Sequence, residues 1–112
     1  MRRVIIESPY AGDVARNERY AERAVMDCLR RGEAPIASHL LFTRAGILDD
    51  TKLRERTLGI EAGHAWMSVA DCVVVYRDYG VSSGMVRGIH RAGHEGRPVE
   101  YRNIGENPES AP

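Results

Sequence analysis

The stretch Asp71–Met85, DCVVVYRDYGVSSGM, decides the fold. Its first part, DCVVVY, is continuous and β-branched, with no polar residue to face water after Asp71. That is the pattern of a parallel strand covered on both faces, not of a half-exposed antiparallel one. A glycine-bearing loop comes next, and Val81–Glu95 then reads as a helix. A covered strand that feeds a helix through such a loop belongs to an α/β sheet.

Working outward, the same alternation repeats. RVIIES (Arg3–Ser8) is a short apolar run stopped by Pro9, a buried strand with YAGD as the turn behind it. From Val14 to Arg31, Ala21, Ala24, Val25, Cys28 and Leu29 recur at helical spacing. Arg23–Asp27 and Asp27–Arg31 stand as i,i+4 pairs on the other side, and Gly32 sits where a C-terminal glycine belongs. APIAS (Ala34–Ser38) is a second strand. HLLFTRAGILDD is a long connection, after which Asp50 or Thr51 caps a helix with the stripe Leu58, Ala62, Ala65 and Val69. Glu61 falls on that stripe, where a carboxylate needs a partner, and Arg54 or Arg87 is the expected one. RPVEYR (Arg97–Arg102) is the fourth strand.

The order β-α-β-α-β-α-β predicts one doubly wound parallel sheet with strand order 2-1-3-4 and helices on both faces. The domain is expected over 1–104, with 105–112 as a flexible tail. Ligands bind such sheets beyond the carboxyl ends of the strands, at the switch point between the first and third. Three segments converge there: Ser8–Asp13, Ser38–Leu41 and Arg77–Met85.

Each of these segments has suitable chemistry. Ser8, Pro9, Tyr10 and Gly12 form a rigid turn with a ring for stacking and room for close backbone approach. Gly80, Ser82, Ser83, Gly84 and Met85 surround a helix start, where unpaired N–H groups and hydroxyls receive an anion; the alternative is plain serine capping. His39 follows the second strand toward the same edge, and Asp78 ends the third. Trp66 and Met67 read as core or subunit interface. His90 and His94 have zinc-compatible i,i+4 spacing but no third ligand, so no metal and no cofactor is expected.

Bulk properties exclude several classes. The 112 residues suffice for one core, and 16 basic residues balance 16 acidic ones, so bulk charge does not favour nucleic acid. The apolar run before Glu7 is far shorter than the roughly 7–15 residues of a secretory signal, and nothing approaches a membrane span. Cys28 and Cys72 lack ligand or redox spacing and read as reduced core residues of a cytoplasmic protein.

Taken in order, VIIESPYAGD, the PIASHL segment, LDD, the Trp66 region, DCVVVYRDYGVSSGM and GRPVEYR resemble the nucleoside 2-deoxyribosyltransferase-like superfamily. Within it the chain is most similar to a family of small proteins frequent in phage genomes. The resemblance spans about Arg3–Arg102. It implies a flavodoxin-like sheet, a homodimer or higher homo-oligomer, and a pocket for a nucleotide, nucleoside or ADP-ribose-like ligand. It also implies N-glycosidic chemistry through a glutamate early in the last helix, aided by a second acid on the helix before the valine-rich strand. Carried over, the first acid falls at Val86 or Gly88 and the second at Gly63, so both are missing. The expectation is therefore a protein that binds without turnover, sequestering a nucleotide signal in the host cytoplasm if phage-encoded. The alternative is an N-glycosidase or deoxyribosyltransferase with a displaced acid: Glu61, Asp78 or Glu7.

Overall fold

The structure, a computed structural model, describes residues 1–105. Of the expected tail at 105–112, residues 106–112 lie outside them. Four parallel strands form one sheet in the order β2-β1-β3-β4, as expected: β1 Arg2–Glu7, β2 Glu33–Ile36, β3 Cys72–Tyr76 and β4 Val99–Arg102. β1 pairs with β2 from Arg2 opposite Glu33 to Ile5 opposite Ile36, and with β3 from Val4 opposite Cys72 to Glu7 opposite Val75. β2 is an edge strand, and Pro35 stands within it opposite Val4.

Strand periodicity sorts the core into two layers. Val4, Ile6, Cys72, Val74 and Tyr76 face α1 (Val14–Arg30), meeting Tyr20, Ala21, Ala24 and Cys28. Ile5, Val73 and Val75 face the other way, against Met67 and Ala70 and against Met85 and Ala92 of α4 (Ser83–His94). Every residue of β3 is buried, as its unbroken apolar run requires. Both cysteines are buried free thiols. α1 starts at Asp13, whose side chain accepts from Arg16 N at 3.2 Å, and ends before Gly32, which takes φ +77°.

On β4 the α1 face carries charge, Glu100 and Arg102, instead of aliphatics. Arg102 donates from both terminal nitrogens to Glu33, 2.8 Å each, and also to Glu100 at 2.9 Å and the Tyr76 hydroxyl at 3.1 Å. Arg2 adds contacts to Glu33 and Glu100. A buried guanidinium is tolerated here because its donors find acceptors.

The long connection departs from expectation. Ser38–Leu41 makes a single helical turn, α2, and α3 runs Leu53–Ala65 with Lys52 at its cap position. Asp49 accepts instead from the backbone and hydroxyl of Thr51, so neither Asp50 nor Thr51 caps the helix. The expected stripe is out of phase: Leu58 and Val69 are about half exposed, and the inward residues are Ile60, Gly63 and Met67. Apolar residues lie on both sides of α3, and the face that packs lies two residues earlier than the expected stripe, a rotation of about 200° about the helix axis. Glu61 points to solvent, with no ion pair to Arg54 or Arg87 among the described residues.

Candidate functional site

β1 ends at Glu7 and Ser8 follows it, their side chains pointing to opposite faces of the sheet. Ser8 goes toward α2, where its Oγ lies 2.6 Å from His39 Nε2. Burial pushes the His39 imidazole down to about 4, so it is neutral near pH 7 and one ring nitrogen is an acceptor. The next turn is held from behind: Asn17 Nδ2 donates to the carbonyls of Tyr10 (2.8 Å) and Ala11 (3.1 Å). Gly12 completes it at φ +98°, a conformation that suits glycine.

Across the sheet, Ser82 caps α4. Its Oγ accepts from Met85 N, and its own N–H meets the Met85 sulfur, both at 3.3 Å. The hydroxyl of Ser82 therefore serves the helix. The N–H groups of Ser83 and Gly84, in the first turn, lack intrahelical acceptors and are left for a ligand.

These two ends and α3 enclose a cleft of about 140 Å³. Ser8, Tyr10, His39, Ser82, Ser83, Gly84 and Met85 line it, as do Glu7, Ser38, Asp50, Arg56, Gly63 and His64. Small-molecule sites typically measure roughly 300–1,000 Å³, so this cleft encloses only part of a ligand. It shares Tyr10, Ala11, Asp50 and Arg56 with a wider groove of about 880 Å³, which Gly12 also lines. Arg56 makes no ion pair or hydrogen bond with its side chain among the described residues.

Three expected residues stand elsewhere, and a fourth supports from outside. Asp78 is buried on the α1 face, where its carboxylate accepts from the Tyr20 hydroxyl (2.6 Å), Ile104 N (2.9 Å) and Gly105 N (2.7 Å). It fastens the chain after β4 and does not reach the cleft. Glu61 is on the solvent side of α3. Pro9 is within the turn but does not line the cleft, and Gly80, at φ +86°, shapes the loop into α4. His90 and His94 join no metal-binding group: among the described residues no three His, Cys, Asp or Glu side chains converge.

Of the two acids that line the cleft, Asp50 and Glu7, only Glu7 stands on the sheet. It shares a face with Ile5, toward α4, and burial pushes its carboxyl up to about 8. Against it stands Gly88, where a Cβ would come 2.1 Å from Glu7 Oε2. Val86, the other position at which the resemblance would place an acid, is exposed. Gly63 is similarly tight, since a Cβ there would meet Ser38 Oγ at 2.4 Å. Arg56 and His64 could not be placed from the sequence because the phase of α3 could not; Glu7, a charged residue at the end of an apolar strand, was already among the displaced acids.

Fold and cleft together define a parallel α/β protein with a cleft at the carboxyl edge of its sheet, the edge at which such sheets take ligands. The chain belongs to the family described as Domain of unknown function (DUF7768), whose model matches residues 2–102. No curated protein matches it in sequence. Among solved structures it is similar to the 2-deoxyribosyltransferase of the psychrotolerant bacterium Bacillus psychrosaccharolyticus, a biocatalyst for nucleoside synthesis. The TM-score is 0.62 at 14% identity, over 90% of this chain and 72% of that one. At that identity the likeness establishes a shared fold. Among the described residues no helix is long and apolar enough to cross a membrane.

Proposed function

We propose that the cleft binds a nucleotide or a related phosphorylated nucleoside derivative such as ADP-ribose. One observation carries this reading: an unpaired guanidinium, Arg56, and the open first-turn N–H groups of α4 line the same cleft as the Tyr10 ring. The first two suit a phosphate, Arg by charge-assisted and bidentate bonding. The ring suits a base or sugar face. The likeness in fold to a nucleoside-handling enzyme supports the same ligand class.

Purified protein is denatured and the supernatant analysed by mass spectrometry, and the intact protein is then titrated calorimetrically with nucleosides and their monophosphates. Arg56→Gln is expected to weaken a monophosphate by about tenfold or more and its nucleoside much less, in line with a charge-assisted bond of about 1.5–3 kcal/mol. Equal losses for both ligands would sink the reading.

A second reading is favoured by Glu7. Cleavage of an N-glycosidic bond needs a carboxyl group beside the sugar, and of the three displaced acids only Glu7 lines the cleft. Release of free base from a nucleotide, absent in Glu7→Gln, would select turnover; intact ligand recovered after prolonged incubation would select recognition, the role that sequestration of a signal requires. Self-association belongs to the same proposal. Trp66 and Val69, about half exposed, border an apolar groove of about 340 Å³ with Ile5, Pro35 and Ile36, and sedimentation of Trp66→Ala against the parent tests it.

A further inference from the structure

Glu7 lies at the floor of the cleft without a protein partner. No hydrogen bond or ion pair reaches its carboxyl among the described residues. The notch that holds it exists because position 88 is glycine: a Cβ there would fall 2.1 Å from Oε2 and 2.4 Å from Cδ. A carboxyl group buried only for structure ordinarily finds a backbone or side-chain partner. This one faces the cavity instead.

We infer that Glu7 works in its protonated form, as the hydrogen-bond donor at the cleft floor to an uncharged acceptor of the ligand, a sugar oxygen or a ring nitrogen. The inference rests on the nucleotide reading and adds a binding group to it. Charge favours the protonated form. A phosphate held by Arg56 and the start of α4 already meets one acid in this small cleft, Asp50, and a neutral Glu7 spares it the repulsion of a second. Burial, which pushes the group to about 8, acts in the same direction. Binding then depends on a proton that is present at neutral pH and lost above it.

The titratable and charged groups around Glu7 are Tyr10 after β1, His39 on α2, Asp50 in the connection, and Arg56 and His64 on α3. Burial lowers both histidines, which are therefore neutral above pH 7. The phosphate of a ligand completes its own titration near pH 6, below the window of interest.

The test is calorimetry from pH 7 to 9.5 with deoxyadenosine monophosphate, adenosine and ADP-ribose as probes, on the parent, Glu7→Gln and Glu7→Met, with carbon-13 carboxyl NMR locating the titration of Glu7. The parent is expected to lose about tenfold in affinity one pH unit above the pKa of Glu7. Glu7→Gln keeps a donor that does not titrate, so its affinity stays level across the range. Glu7→Met keeps the volume without the donor and binds at least about tenfold more weakly at pH 7. A fall that persists in Glu7→Gln, or a Glu7→Met protein that binds like the parent, overturns the donor role and leaves the nucleotide reading standing. Failure of all three probes to bind the parent at any pH overturns both.

Discussion

Arg102→Met is the most demanding test of how this sheet is held together. The Arg102 and Glu33 side chains are only 6% and 7% exposed and share two 2.8 Å hydrogen bonds. Removing the guanidinium leaves Glu33 in the interior with Arg2 alone, at 3.3 Å and from a side chain 41% exposed. Breaking one side of a buried pair costs about 3–5 kcal/mol, and the remaining Arg2 contact favours the lower end. Against a total stability of roughly 5–15 kcal/mol, that is a large fraction. With a urea m-value of about 1–3 kcal/mol/M, a 3 kcal/mol loss moves the midpoint down by roughly 1–3 M. Glu33→Gln/Arg102→Met should recover part of it, because the orphaned charge is gone. The pH profile adds a check. Arg102 holds the Glu33 carboxyl below its ordinary value of 4.5, so the stabilisation is present above that value. It disappears as pH falls through the folded-state value. The gap between the parent and Arg102→Met must therefore narrow in acid. A loss under about 1 kcal/mol, or a gap constant with pH, would refute the assigned role of the pair.

Other expected outcomes concern the cleft and its surroundings. Asp78→Asn should cost about 2 kcal/mol in thermal or urea unfolding and speed amide exchange at Ile104 and Gly105, while the affinity of a bound nucleotide stays within twofold; a selective loss of affinity would return Asp78 to the site. Ser82→Ala removes the α4 cap and should lower stability by about 1 kcal/mol, read by calorimetry. His39 is buried neutral, so its contribution is complete above the unfolded value of 6.5 and lost as pH falls toward about 4. His39→Gln should flatten the stability profile of the parent across that interval, and an unchanged slope would assign it to other groups.

The sheet was legible because β3 allows one environment only, and the flanking helices then imply the strand order. The two segments that line the cleft after β1 and before α4 were placed for the same reason, each following a strand whose end the fold must put at the carboxyl edge. α3 was not, since apolar residues are scattered around it and two faces, about 200° apart, offer the same helical spacing. Glu61 and the hidden contributions of Arg56 and His64 are consequences of that one slip. Asp78 failed differently: it continues the alternation of Val74 and Tyr76 and so turns toward α1 and Tyr20. The same parity rule, applied to β1, sends Glu7 with Ile5 to the α4 side. Glu7 was legible as one of three candidate acids, and this parity is what separates it from Asp78 by turning it to the cleft side of the sheet.

Pro35 has a consequence for how the molecule meets its neighbours. Placed within an outer strand of the sheet, a proline has no N–H to extend the ladder, and its ring keeps a foreign strand from settling alongside. The β2 margin is thereby closed to runaway stacking of sheet on sheet edge, the route by which short α/β domains become fibres. At that margin copies of this chain can meet only through side chains, which leaves β4 as the edge of the sheet open to pairing.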